Sequence, residues 1–241
     1  MARRRPEESD IRIRPAKSTR RRSKDRPSHS DSIAAQVITV DRGRTLCRIA
    51  SGQLVSAMKA RELGKNSVVV GDLVNIVGDV SGDTGSLARI VAVQPRRNSL
   101  SRTIDDAGAF EKTIAANLDQ MIIVAASADP SPRQGFIDRC LAVAFDQGIK
   151  PIIVMSKADL ADPDEFLSAY RDLEVEYLKL KRGDDLTQLH KILEAKVSVL
   201  IGHSGVGKST LVNALLGIEK RDTGDVNLTT GRGRHTSSSA I

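Results

Sequence analysis

The sequence predicts a β plus α/β chain: a small five-stranded barrel of the oligonucleotide/oligosaccharide-binding (OB) type, followed by an α/β domain on a parallel sheet. Three observations carry that expectation. Residues 33 to 99 hold short alternating apolar runs broken by turn residues. Gln120 to Ala126 and Pro151 to Met155 are instead continuous apolar runs, the pattern of strands buried on both faces of a parallel sheet. Lys196 to Gly217 reads as strand, glycine loop and helix.

Composition bounds the rest. At 241 residues and 40% apolar content the chain can form one or two cores. Aromatics are 2% with no Trp, so aliphatic cores are expected and aromatic base-stacking surfaces are not. Cys47 and Cys140 lack disulfide or metal-ligand spacing, and no secretory or membrane-length apolar run is present. That combination reads as a cytosolic protein of a reducing compartment. The formal charge of +7 is uneven: residues 1–32 hold eleven Lys/Arg against five Asp/Glu, and the remainder twenty-six against twenty-five. Residues 1–32, with Arg3-Arg4-Arg5 and Arg20-Arg21-Arg22, are therefore expected to be a disordered basic tail, either a polyanion-binding arm with RNA as its partner or a solubilising segment.

Within 33–99 five strands are expected at Ala34 to Val40, Thr45 to Ala50, Gln53 to Ala60, Asp72 to Val77 and Ala88 to Val93. An SH3-like barrel would read almost the same. The pattern weakens from Arg96 to Asn117, so residues 100–116 are taken as a linker and 117–241 as the second domain. There, Gln134 to Gln147 carries a helical stripe ending at Gly148. Asp162-Pro163-Asp164-Glu165 reads as a helix start with cap, proline at the first helical position and capping-box acid. Tyr177 to Leu180 reads as a short strand, and Asp184-Asp185 as the start of a helix to about Ala195.

The loop Gly202-His203-Ser204-Gly205-Val206-Gly207-Lys208-Ser209 matches G-x-x-x-x-G-K-[ST]. Glycines let the backbone curl so that successive N–H groups point at phosphate oxygens. Lys208 would reach the β- and γ-phosphates, Ser209 would ligate Mg²⁺, and Thr210 follows in the first turn of a helix whose positive dipole end faces the same anion. The bland alternative is an ordinary βα turn with a surface lysine.

Ser156-Lys157-Ala158-Asp159 follows the strand Pro151 to Met155 and resembles the guanine-recognition motif N-K-x-D or T-K-x-D. A carboxylate at Asp159 would accept from both N1–H and the exocyclic amine of guanine, and the Lys157 stem would lie against the base. The alternative is a helix-capping Asp and a surface Lys. Its place at the carboxyl end of a parallel strand is where α/β sheets bind ligands. In ordinary GTPases this motif follows the phosphate loop; here it precedes it. Circular permutation accounts for both motifs in one domain.

This order, the N-terminal barrel, and the stretches Ala116-Asn117-Leu118-Asp119-Gln120 and Gly231-Arg232-Gly233-Arg234-His235-Thr236 together resemble the ribosome small-subunit-dependent GTPase A family, over about Ile33 to the last residue. The resemblance implies an OB-type barrel followed by a circularly permuted P-loop GTPase domain, incomplete at its C-terminus. It also implies GTP or GDP with Mg²⁺ as ligands, and the small (30S) ribosomal subunit and its rRNA as partners in late assembly, with hydrolysis stimulated by the subunit. A monomer with no membrane association is expected. Thr236 falls where the family's switch I places a Mg²⁺ and γ-phosphate ligand, with Ser237 and Ser238 as competing hydroxyls. His235 stands at the family's proposed catalytic histidine and could equally be an exposed loop residue.

Three departures lower expectations. Ser156 keeps a hydroxyl that can brace the phosphate loop but lacks an amide donor to guanine N7, so weaker nucleotide affinity is expected. Leu178-Lys179-Leu180-Lys181 stands where a Ser-Ala backbone contact to guanine O6 is expected. The family's D-x-x-G loop and zinc-binding module would lie beyond Ile241, so the chain reads as part of a longer product with weak or no turnover by itself. Asp79-Val80-Ser81-Gly82 and Asp105 to Gly108 match D-x-x-G only by chance, in the barrel and linker. Two competing readings are an rRNA-binding module with an inactive G domain, and an ATP-dependent enzyme with an accidental Ser-Lys-Ala-Asp.

Overall fold

The computed structural model describes residues 29–41, 43–64, 68–103 and 111–217. Nearly all of the basic tail, the Asp105 to Gly108 turn and the stretch from Gly231 onward lie outside the described residues.

Five strands form a closed barrel: β1 (Ile33–Asp41), β2 (Arg44–Ile49), β3 (Leu54–Lys59), β4 (Leu73–Gly78) and β5 (Ala88–Val93). Successive side chains alternate across each strand, which sends Val37, Cys47, Val55, Val74, Ile76 and Ile90 into one aliphatic core. The order is β1-β2-β3-β5-β4, and antiparallel pairing of β1 with β4 closes it. β3 and β5 run parallel, so β5 inserts between β3 and β4 rather than continuing a meander. That Greek-key order is the OB arrangement, and it decides against the SH3-like alternative.

The stretch expected as a plain connection carries structure. β6 (Ser99–Thr103) and β7 (Glu111–Ala116) pair antiparallel as a two-stranded ribbon. Such a ribbon buries little, here mainly Leu100 and Ala116, so the apolar alternation that reveals strands in a sequence is faint.

Four parallel strands in the order β10-β9-β8-β11 make the second sheet: β8 (Gln120–Ala126), β9 (Lys150–Ser156), β10 (Glu176–Lys179) and β11 (Ser198–Ile201). Every residue of β8 is buried. On one face, Met121, Ile123, Ile153 and Met155 meet Ile137 and Leu141 of α1 (Gln134–Asp146). On the other, Ile122, Val124, Ile152 and Val154 meet Leu189 of α3 (Thr187–Leu193), and Leu211 and Leu215 of α4 (Lys208–Leu216) pack against the same cluster. Each fully buried aliphatic side chain contributes about 1.5–3 kcal/mol over its exposed state, which holds the strand ends in register. Among the described residues no helix is long and apolar enough to cross a membrane.

Two helix starts shift from their expected places. Pro163 stands at the N-cap of α2 (Asp164–Ser168), and Asp162 Oδ1 accepts from the Asp164 N–H at 3.1 Å. A separate 3₁₀ turn, Arg171–Leu173, takes up the rest of the apolar pattern, and the Tyr170 hydroxyl beside it donates to Asp138 of α1 at 3.0 Å. Ahead of α3, Asp185 Oδ1 accepts from the Thr187 N–H at 2.9 Å, so the helix opens two residues beyond the acid pair.

Candidate nucleotide site

The loop 202–207 leaves the carboxyl end of β11 and enters α4 at Lys208. Gly202 lies so close to β8 that a Cβ there would stand 2.3 Å from the Val124 carbonyl oxygen. No larger residue fits without moving the loop. Gly207, the N-cap of α4, has φ +87°, a left-handed conformation that costs glycine nothing. The curl leaves the first turn of the nine-residue α4 open at the mouth of the sheet, where its unpaired N–H groups and dipole favour an anion.

Lys208 folds back over the loop, its Nζ donating to the carbonyls of Gly202 at 2.7 Å and His203 at 2.5 Å. Burial lowers its pKa, as expected of an ammonium with part of its water removed. An incoming phosphate would restore the missing counter-charge. Val206 is buried in the cluster of β8, β9 and α3, anchoring the middle of the loop. Ser204 and Gly205 complete the turn, Ser209 is half-buried in the first turn of α4 and Thr210 is exposed there.

The guanine-type motif reaches the same mouth from β9. Ser156 Oγ donates to the Val206 carbonyl at 2.7 Å, with the Ala125 carbonyl at 3.2 Å as a second acceptor. The serine hydroxyl thus ties strand end to phosphate loop. Lys157, at φ +54°, hydrogen bonds through Nζ to the Asp129 carbonyl beyond β8. Asp159 Oδ1 accepts from the Arg182 N–H at 3.3 Å. The backbone donor beside the carboxylate therefore belongs to Arg182, not to the strand segment Leu178 to Lys181. Asp184 Oδ2 accepts from the Lys181 N–H at 2.7 Å and fixes that loop. Arg182 carries no sequence motif and Asp184 only a helix-start signal, because their contacts here depend on how the loop turns.

His203 is the other feature the motif hid. Its ring packs on Phe136 of α1 with centroids 4.2 Å apart, and Nε2 is buried with no hydrogen-bond partner among the described residues. Burial lowers its pKa below 6.5, helped by Arg133, Lys208 and Arg139 around it. The folded chain therefore holds the imidazole neutral where the unfolded chain binds a proton, and that stabilisation is complete only above pH 6.5. Stability by urea unfolding is expected to fall as pH drops below about 6.5, and to fall less steeply in His203→Gln. Identical slopes for the two proteins would remove this role.

His235 and Thr236, and the competing Ser237 and Ser238, lie outside the described residues. Among the described residues no cluster of three His, Cys, Asp or Glu side chains could hold a metal ion. The donor set at Ser209 suits a Mg²⁺ that arrives with phosphate oxygens and keeps most of its waters, which needs only one or two protein ligands.

Comparison with known proteins gives one consistent result. The profile of the RsgA GTPase family matches residues 93–241. The small ribosomal subunit biogenesis GTPase RsgA of Shewanella oneidensis is 40% identical over 184 residues, 72% of this chain and 51% of the relative. Its counterpart from Nitrosospira multiformis is 40% identical over 185 residues, 73% of this chain and 55% of the relative. The chain spans about half the length of the curated relatives it matches. Among solved structures, YjeQ from Thermotoga maritima aligns with a TM-score of 0.60 at 27% identity, over 76% of this chain and 65% of that one. YloQ, described as a circularly permuted GTPase, aligns at TM-score 0.60 and 22% identity, over 79% of this chain and 67% of that one, and so bears on the fold alone.

Proposed function

The chain belongs to the RsgA GTPase family, and from that premise we propose that its mouth at β8, β9 and β11 binds guanine nucleotide and Mg²⁺ and that the protein hydrolyses GTP while acting in small-subunit assembly. The observation that carries this reading is the hydrogen bond from Ser156 Oγ to the Val206 carbonyl, 2.7 Å, which joins the guanine motif to the phosphate loop in one crevice. In this reading residues 33–99 are the barrel, 100–116 the linker and 117–241 the permuted G domain.

Catalysis here is positioning plus charge stabilisation. The loop N–H groups and the α4 N-terminus hold the β-phosphate, and Lys208 exchanges its two carbonyl partners for β- and γ-phosphate oxygens. Ser209, with Thr236, would hold Mg²⁺, which neutralises charge developing on those oxygens. His235 is the candidate for orienting the attacking water. Asp159 reads the Watson–Crick edge of guanine, and the Arg182 N–H steadies its carboxylate by donating to Oδ1.

The barrel supports an rRNA contact as the complement of this activity. β2, β3 and β5 carry no acidic residue. Arg44 stands opposite Met58, and Met58 opposite Arg89, with Arg48 opposite Leu54, all of them exposed. A cationic row interleaved with apolar side chains on these strands suits a nucleic-acid backbone and its bases.

The deciding experiment is nucleotide binding by the 241-residue chain with Mg²⁺, comparing GDP, XDP and ADP in wild type and Asp159→Asn. Wild type is expected to prefer GDP. The substitution is expected to weaken GDP about a hundredfold, the loss of one of two hydrogen bonds together with the acceptor's charge, and to bring XDP level with or ahead of it. Equal binding of ADP and GDP by wild type would sink the guanine reading.

A further inference from the structure

We infer that Asp119 is a positioning residue of the nucleotide site, clamping the head of β11 so that this strand presents the loop 202–209 in one place; the inference rests on the nucleotide reading above. The stretch Ala116 to Gln120 spends its polar groups on joining distant segments. Asn117 Nδ2 donates to the Gly71 carbonyl at 2.9 Å, and Asn117 Oδ1 accepts from the Arg97 N–H at 2.8 Å, both on the barrel side. Asp119 then spans the junction. Its Oδ1 accepts from Arg97 Nη2 at 2.8 Å and its Oδ2 from the Val197 N–H at 2.8 Å, while its own N–H donates to the Val197 carbonyl at 2.8 Å. Gln120, buried, adds Nε2 contacts to the Ile192 carbonyl and Ser198 Oγ, both 2.9 Å.

The clamp matters because β11 is weakly held elsewhere. Among the described residues it pairs only with β8, and all four of its residues are half-buried, whereas β8 is buried throughout. Only the four residues of β11 separate Val197 from Gly202, so a shift at Val197 is passed along the strand to Gly202, where the 2.3 Å approach to Val124 leaves no slack. Burial pushes the Asp119 carboxyl up, but the Val197 N–H and the Arg97 guanidinium outweigh it and hold it ionised below its usual range. A carboxylate is therefore kept as the double acceptor.

The test compares Asp119→Ala with Asp119→Asn, which retains an oxygen for the Val197 N–H. Two readouts are used: affinity for fluorescent GDP with Mg²⁺, and amide hydrogen exchange of the unliganded chain. Asp119→Ala is expected to bind about tenfold more weakly and Asp119→Asn to stay within about threefold of wild type. Exchange in Asp119→Ala is expected to quicken from Val197 to Gly205 while Val55 to Ala57 of the barrel keep their protection. Wild-type affinity in Asp119→Ala, equal losses in both variants, or faster exchange throughout the chain would each overturn the clamp. If the unsubstituted chain binds no GDP, the nucleotide reading falls, and exchange along β11 still decides for or against the clamp.

Discussion

Lys208→Ala is expected to weaken binding of Mg²⁺ and GDP by about two to three orders of magnitude while leaving the thermal transition of the unliganded chain nearly in place. The asymmetry follows from what Lys208 does in each state. Without ligand its ammonium meets no carboxylate among the described residues; it lies on the Gly202 and His203 carbonyls, and burial already lowers its pKa. Removing it frees two carbonyls at the loop surface, a small change in a segment anchored by Val206 and Ser156. With ligand the same ammonium faces phosphate oxygens in a partly dehydrated crevice. Truncating one partner of such a desolvated pair costs about 2–5 kcal/mol. Isothermal titration of wild type and variant, alongside their melting curves, checks both halves. Binding within about threefold of wild type would mean the loop N–H groups and the α4 dipole hold the phosphates alone.

Lys208→Arg refines the same argument. Arginine keeps the charge, but a wide planar fork on a three-carbon stem cannot lie over two carbonyls 2.7 and 2.5 Å away as a compact ammonium does. The loop is shaped around a point charge, and the motif's requirement for lysine has a geometric cause.

Some of this architecture was legible from the chain alone. β8 spans the residues of its apolar run, Gln120 to Ala126, because burial on both faces leaves a run that no surface element imitates. The glycine loop was legible because its spacing encodes backbone shape, and the barrel because period-two alternation survives in five short strands. What stayed hidden rests on contacts between residues far apart in sequence. Asn117 answers to Gly71 and Asp119 to Val197, and neither pairing leaves a periodic trace. The Arg182 N–H at Asp159 depends on how a loop turns after β10, and the His203 ring on Phe136 requires knowing that α1 flanks the loop. The ribbon of β6 and β7 was missed for a different reason, since it buries too little to pattern its sequence.

Gly71→Ala is expected to be the most destabilising single-methyl change at the junction of barrel and sheet. At φ +88° Gly71 occupies a conformation that alanine adopts only at a cost, and a Cβ there would stand 2.0 Å from the Ala116 carbonyl oxygen. The obstacle is backbone, so no rotamer change relieves it. Relief requires moving β7 and the turn before β4 apart, and those are held together by several bonds. The Ala116 N–H donates to the Val70 carbonyl at 3.0 Å and Asn117 Nδ2 to the Gly71 carbonyl at 2.9 Å, while the Gly71 N–H fixes the turn to β1 through the Val37 carbonyl at 2.9 Å. Next door, Asp72 is fully buried against the partly exposed Arg96, with Nε to Oδ1 at 2.7 Å, so a shifted turn would also strain an ion pair whose carboxylate is shut off from water. Left-handed strain alone costs about 1–3 kcal/mol, and displaced hydrogen bonds in a buried setting add about 1–3 kcal/mol more. The sum is a large share of the stability of a single domain, and a drop in melting temperature of roughly 10 °C is expected. Differential scanning calorimetry decides it. A shift below about 2 °C would mean that the turn can open without cost, and that barrel and sheet are joined less rigidly than these bonds require.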